Sequence, residues 1–85
     1  LTVVVSPLVA LMKDQVDNLK RIGIESEFLN STNNEIEAKK VWKNLYSNKV
    51  KILYLSPERL LIQGMVDKLL ELNLQAVAID EAHCI

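Results

Sequence analysis

Ala76-Val77-Ala78-Ile79-Asp80-Glu81-Ala82-His83-Cys84-Ile85 is the stretch whose reading decides the fold. Four small or branched apolar residues run into two adjacent acids, and a histidine follows shortly after them. An unbroken apolar run bounded by charge predicts a strand buried on both faces, the habit of parallel sheets covered by helices. Acids at the end of such a strand sit on the rim of the sheet, where open α/β folds bind their ligands. The same residues can also end an ordinary strand in solvent. Their meaning therefore depends on what else reaches that rim.

Three earlier runs supply the neighbours. Leu1-Thr2-Val3-Val4-Val5 is short and β-branched, hence a buried strand, and it stops at Ser6-Pro7. Serine is a favoured helix cap and proline at the first helical position sacrifices no hydrogen bond, so a helix is expected to start there. Leu8, Leu11, Met12, Val16 and Leu19 recur at helical spacing, with Lys13, Asp14, Asp17 and Lys20 on the other face. Lys20-Arg21 suits the negative end of that helix and Gly23 its C-terminal cap. Ile24 to Leu29 carries Glu25 and Glu27, an alternation that predicts a strand with one face or edge in water.

Asn30-Ser31-Thr32-Asn33-Asn34 reads as a polar loop feeding a helix, with Thr32 and Glu35 at capping-box spacing. Ala38, Val41, Trp42 and Leu45 form the buried stripe of that helix, and Trp42 is read as core rather than as a platform for a nucleic-acid base. Ser47-Asn48-Lys49 turns into a third strand, Val50 to Leu55, which again ends in Ser-Pro, at Ser56-Pro57, before Glu58-Arg59-Leu60-Leu61. Gly64 bends the chain ahead of a helix from Met65 to Leu72, and Leu74 to Ile79 is the fourth strand. Alternating β and α elements with short loops call for an α/β fold, a parallel sheet with covering helices.

The totals narrow the class. The 85 residues make one small domain at most, and 49% of them are apolar, enough for a core. A formal net charge of −1 argues against a basic nucleic-acid-binding tail while leaving room for a local patch. Cys84 is the single cysteine, which rules out an internal disulfide and suits a reducing, intracellular setting. No apolar run is long enough to span a membrane, and the start does not read as a signal peptide. A chain that opens within a strand and closes just after an acidic motif reads as incomplete at both ends.

In a parallel sheet all strand C-termini share one edge, which here gathers Ser6-Pro7, Ser56-Pro57 and Asp80-Glu81. A helix start presents free amides and a positive dipole end that suit a phosphate. Each Ser-Pro taken singly is a good cap; the pair beside the acids suggests a phosphate backbone lying next to a nucleotide. Lys13 and Arg59 near these starts can add charge for phosphates, or be solvated or paired with a nearby acid. His83 is either a functional residue at the rim or a satisfied structural one.

Val3-Val4-Val5-Ser6-Pro7-Leu8 with Leu11-Met12-Lys13-Asp14-Gln15-Val16 resembles motif Ia of RecQ-family DNA helicases. Ile52-Leu53-Tyr54-Leu55-Ser56-Pro57-Glu58-Arg59-Leu60 resembles their motif Ib, and Ala78-Ile79-Asp80-Glu81-Ala82-His83-Cys84-Ile85 their motif II. Asp-Glu-Ala-His alone specifies superfamily 2 helicases; the Cys84 extension and the two Ser-Pro motifs narrow the likeness to the RecQ branch. The resemblance implies a RecA-like P-loop NTPase domain of an ATP-dependent helicase that moves 3′ to 5′ on single-stranded DNA and unwinds duplex DNA, in the bacterial cytoplasm or the eukaryotic nucleus. It implies that Asp80 holds Mg2+ on ATP, that Glu81 orients and activates the attacking water, and that His83 couples the nucleotide and DNA sites. It also places Ser6, Pro7, Lys13, Ser56, Pro57 and Arg59 on the DNA side. Cys84 is read as packing.

Parts of the family pattern are missing from this sequence. There is no Gly-rich loop ending in Lys-Ser or Lys-Thr, and the two glycines, Gly23 and Gly64, fit no such pattern. The aromatic-rich loop, the second RecA-like domain and its arginine finger are absent as well. Residues 1–85 are thus expected to be the central part of the N-terminal RecA-like domain, partnered by the Walker A segment and the second RecA-like domain, and inactive alone. Two other readings stand beside this one. A DEAH-type RNA helicase or another superfamily 2 translocase keeps the chemistry, although Ser6-Pro7 with Asp14-Gln15 argues against the RNA branch. A small non-catalytic α/β binding module, with the acids on a divalent ion or a partner, changes the class.

Overall fold

A computed structural model describes residues 1–72 and 74–79. In chain order the elements are β1 (Thr2–Val5), α1 (Val9–Arg21), β2 (Ser26–Leu29), α2 (Glu35–Tyr46), β3 (Ile52–Leu55), α3 (Pro57–Leu60), α4 (Met65–Glu71) and β4 (Ala76–Ile79). The strands form one parallel sheet in the order β2-β3-β1-β4, as the alternation of elements requires. Val5 is level with Leu55 on one side and Ile79 on the other, and Leu29 is level with Leu55. Four apolar residues thus end four strands at the same height.

Alternation along the strands sorts the two faces. Val3, Val5, Leu29, Leu53 and Leu55 pack with Val41 and Leu45 of α2 and with Met65 and Leu69 of α4 into the main core. Against the opposite face lies α1, whose Met12 and Val16 are buried. The Ser26 hydroxyl, fully buried, donates to the Val16 carbonyl at 3.3 Å and ties β2 to that helix. Gly23 (φ +88°) ends α1: Ile24 N–H reaches the Leu19 carbonyl and Gly23 N–H the Lys20 carbonyl, the paired bonds of a left-handed C-terminal cap. Asn48 (φ 59°) closes α2 in the same way, with Lys49 N–H on Asn44 O and Asn48 N–H on Leu45 O. The acids of the second strand have a plain explanation, since β2 is an edge strand and Glu27 accepts from Lys20 and Asn44, each at 3.4 Å. Trp42 packs against the core, with Tyr46 at 5.9 Å between ring centroids and the Lys68 ammonium 5.4 Å from its ring.

Three expectations need correction. The run Ala76 to Ile79 is a strand, but all four of its residues are exposed, Val77 at 55% and Ile79 at 65%. Among the described residues it stands at the sheet edge with β1 as its one partner, and an apolar run is buried only where something covers it. The capping box of α2 is Asn34 with Glu37, not Thr32 with Glu35: Asn34 Oδ1 accepts from Glu37 N–H at 2.8 Å and Glu37 Oε1 from Asn34 N–H at 3.0 Å. Finally, α1 starts at Val9, so Pro7 is not its first residue.

Candidate functional site

After β1, β2 and β3 the residue that follows the strand end is polar and buried. Ser6 is 4% exposed, Asn30 1% and Ser56 0%. The two serines extend the ladder one step beyond the strands: Ser6 N–H donates to the Leu55 carbonyl at 3.0 Å and Ser56 N–H to the Leu29 carbonyl at 3.1 Å. Across the C-terminal edge the order is therefore Asn30, Ser56, Ser6, with β4 beyond, where Ile79 is the last described residue. Asp80, Glu81 and His83 lie outside the described residues, as does Cys84.

The two Ser-Pro pairs are not one device used twice. After β1, Ser6 Oγ accepts Leu8 N–H at 3.2 Å and the Pro7 carbonyl accepts Val9 N–H at 2.8 Å, a folded step that ends before α1 begins. After β3, Ser56 is the N-cap with Pro57 directly behind it, and its carbonyl accepts Arg59 and Leu60 N–H. Its hydroxyl, however, is buried and has no hydrogen-bond partner among the described residues. The helix it opens is a single turn of four residues, too short to sum peptide dipoles over several turns. The expectation of two equivalent helix ends aimed at phosphate is not met.

Arg59 brings a charged side chain to this edge. Lys13 is exposed on α1, one residue after the buried Met12. Arg59 is half-buried, and its Nη2 donates at 3.2 Å to the Asn30 carbonyl, which ties α3 to the β2–α2 loop. Pro7 and Pro57 are half-buried beside their serines. Asn30 is the residue that sequence reasoning passed over. It read as one member of a polar loop, although it follows the apolar end of its strand just as Ser6 and Ser56 follow theirs. Among the described residues no group of three or more His, Cys, Asp or Glu side chains is placed to hold a metal ion.

A family profile described as DEAD/DEAH box helicase matches residues 1–85. Among curated proteins the chain is similar to the "ATP-dependent DNA helicase RecQ" of Pasteurella multocida, 46% identical over 85 residues that make up all of this chain and 13% of that protein. The protein of the same name from Haemophilus influenzae is 45% identical over 85 residues, all of this chain and 14% of its own length. That from Bacillus subtilis is 43% identical over 84 residues, 99% of this chain and 14% of its length. The chain thus spans 13–14% of the length of these three relatives.

Proposed function

The chain belongs to the DEAD/DEAH box helicases, and from that premise we propose that it is the central part of the N-terminal RecA-like domain of an intracellular RecQ-type DNA helicase. The whole protein then couples ATP hydrolysis to 3′-to-5′ movement on single-stranded DNA and to unwinding of duplex DNA. The observation that carries this reading is the register: Val5, Leu29, Leu55 and Ile79 end four parallel strands at one height, so motif Ia and motif Ib leave the sheet on the edge toward which β4 leads.

Division of labour along the edge follows from residue chemistry. Carboxylate oxygens are the ligands that Mg2+ takes, so the donor set after Ile79 fits that ion, with Asp80 as its holder. Bound there, Mg2+ neutralises charge on the ATP phosphates. Glu81 orients the attacking water and accepts its proton, and His83 links the nucleotide side of the edge to the DNA side. Lys13 and Arg59 contact DNA phosphates. Ser6, Pro7, Ser56 and Pro57 shape the backbone that carries these cations, a role that suits the burial of both serines. The phosphate-cradling loop and the arginine finger come from the rest of the helicase core.

The test is ATP hydrolysis by the full-length protein, with and without single-stranded DNA, beside a Glu81→Gln variant. The expected result is DNA-stimulated turnover that falls at least about 100-fold in the variant, as when a general base is lost. Unchanged turnover in Glu81→Gln removes Glu81 from catalysis. A wild-type protein without DNA-stimulated turnover refutes the helicase reading, and equal stimulation by RNA favours the RNA branch.

A further inference from the structure

A densely hydrogen-bonded polar cluster lies at the beginning of the β2–α2 loop, a segment that carries none of the three helicase-like motifs. Asn30 is 1% exposed, and a buried amide is tolerated only when its polar groups are satisfied. Its Oδ1 accepts Thr32 N–H at 2.8 Å and also the Thr32 hydroxyl. Its own N–H donates at 2.8 Å to Asn33 Oδ1, and Asn33 N–H returns to the Asn30 carbonyl at 3.2 Å. Its Nδ2 lies 3.4 Å from the sulfur of Met12, a fully buried residue of α1. The backbone at Asn30 is therefore held from both sides and from its side chain, and its carbonyl points in one fixed direction.

That carbonyl is the group that receives the Arg59 guanidinium, at 3.2 Å. Among the described residues this is the one hydrogen bond the guanidinium makes. A guanidinium has five N–H donors in a planar fork, so a single tether fixes its orientation and leaves donors for a phosphate. Through Met12 the same asparagine abuts the helix that carries Lys13. Asn30 is the point where α1, the loop and the single-turn α3 are joined.

We propose that Asn30 is a positioning residue of the DNA-binding edge, holding the Arg59 guanidinium in place relative to α1 through its immobilised carbonyl. The inference rests on the reading of Arg59 as a phosphate contact. An arginine already held in position loses less side-chain freedom when it takes up a phosphate, so releasing it weakens DNA binding more than it slows the DNA-saturated motor.

The experiment uses the full-length protein and single-stranded DNA as the probe. It compares wild type, Asn30→Ala, Arg59→Ala and the double variant by the DNA concentration that half-saturates ATP turnover and by turnover at saturating DNA. Asn30→Ala is expected to raise the half-saturating concentration about fivefold, the factor of one net hydrogen bond. Turnover at saturating DNA falls by less than about twofold. Asn30→Ser, whose hydroxyl can still accept Thr32 N–H, recovers part of the loss, and it replaces the alanine variant if that one does not fold. In the Arg59→Ala background the Asn30 exchange adds less than about twofold, because the group being positioned is gone. Penalties that multiply in the double variant, or equal losses in both parameters, overturn the positioning role. So does an unchanged half-saturating concentration in Asn30→Ala beside a raised one in Arg59→Ala. An Arg59→Ala variant that binds DNA like wild type instead overturns the reading of Arg59, and the positioning role with it.

Discussion

Replacing Ser56 by alanine separates two physical accounts of the Ser-Pro step after β3. If its hydroxyl capped α3, its loss would cost about 0.5–2 kcal/mol. In the structure the hydroxyl caps nothing: Ser56 is the N-cap by backbone geometry, yet no side-chain cap bond forms and Oγ is a buried polar atom without a partner among the described residues. Keeping such a group out of water costs about 1–3 kcal/mol, which the exchange to alanine relieves. The oxygen-sized void that remains, on the order of 10–15 Å3, gives back about 0.3 kcal/mol. The balance at the lower end is a stabilisation of about 0.7 kcal/mol. Hydrogen exchange of the backbone amides at positions 6 and 56 reads it locally, because both bridge neighbouring strands just past the sheet. Their protection in Ser56→Ala is expected to rise at least about threefold, the factor for that energy. Protection that falls by a similar factor refutes the reasoning and shows that the hydroxyl is hydrogen-bonded.

Leu53, fully buried on a strand flanked by β1 and β3's other neighbour β2, should lose about 2–5 kcal/mol when cut to alanine, whereas Leu61, 83% exposed, should change by less than about 0.5. Urea unfolding of the full-length protein measures both, and similar losses at the two sites contradict the placement of the core. Gly64 has φ +84° and no atom within 4 Å of where a Cβ would stand, so Gly64→Ala adds backbone strain alone, about 1–2 kcal/mol, visible as a lower melting temperature. An unchanged melting temperature speaks against the left-handed start of α4. Lys13→Gln should reduce the slope of log affinity against log salt for single-stranded DNA by about 0.7, the value of one phosphate contact, and an unchanged slope removes Lys13 from the interface.

Much of the sheet was legible because strands and caps are local. The β-branched run at Val3-Val4-Val5 announced a buried strand and the acids at Glu25 and Glu27 one with a face or edge in water, and β1 stands inside the sheet and β2 at its edge. Gly23 and Gly64 marked two of the three described places where a left-handed residue stands; the third, Asn48, carried no such signal. What failed was whatever depends on competition between neighbours. Thr32 with Glu35 and Asn34 with Glu37 satisfy the same capping rule, and the second wins because the Thr32 amide and hydroxyl are already engaged by Asn30. Ser6-Pro7 and Ser56-Pro57 are identical dipeptides, but Ser6 turns its oxygen to Leu8 and delays the helix. The exposed face of β4 was illegible for a different reason. Apolar residues record that a strand is to be covered, not which segment covers it, and the described residues supply β1 as its partner and leave its side chains exposed.

The candidate site owes its order to the same sheet. An apolar tier, Val5, Leu29, Leu55 and Ile79, sets the height at which the strands stop, and a polar tier follows, in which Ser56 and Ser6 continue the inter-strand hydrogen bonds for one more residue while Asn30 bonds within its own loop and to Arg59. Residues that leave the sheet above these tiers inherit its rigidity, as binding loops on a stable scaffold do. The two cations use this support differently. Lys13 rides on a long helix, and its ammonium is placed only as well as its flexible stem allows; Arg59 stands on a single turn that has little rigidity of its own. A tether from Arg59 to the loop compensates for the shortness of α3, and the loop in turn is stiffened by the asparagine that α1 buries. Exchanges in either tier should therefore act on DNA affinity through position, with Arg59 more sensitive than Lys13, because only the guanidinium depends on a carbonyl whose direction the tiers determine.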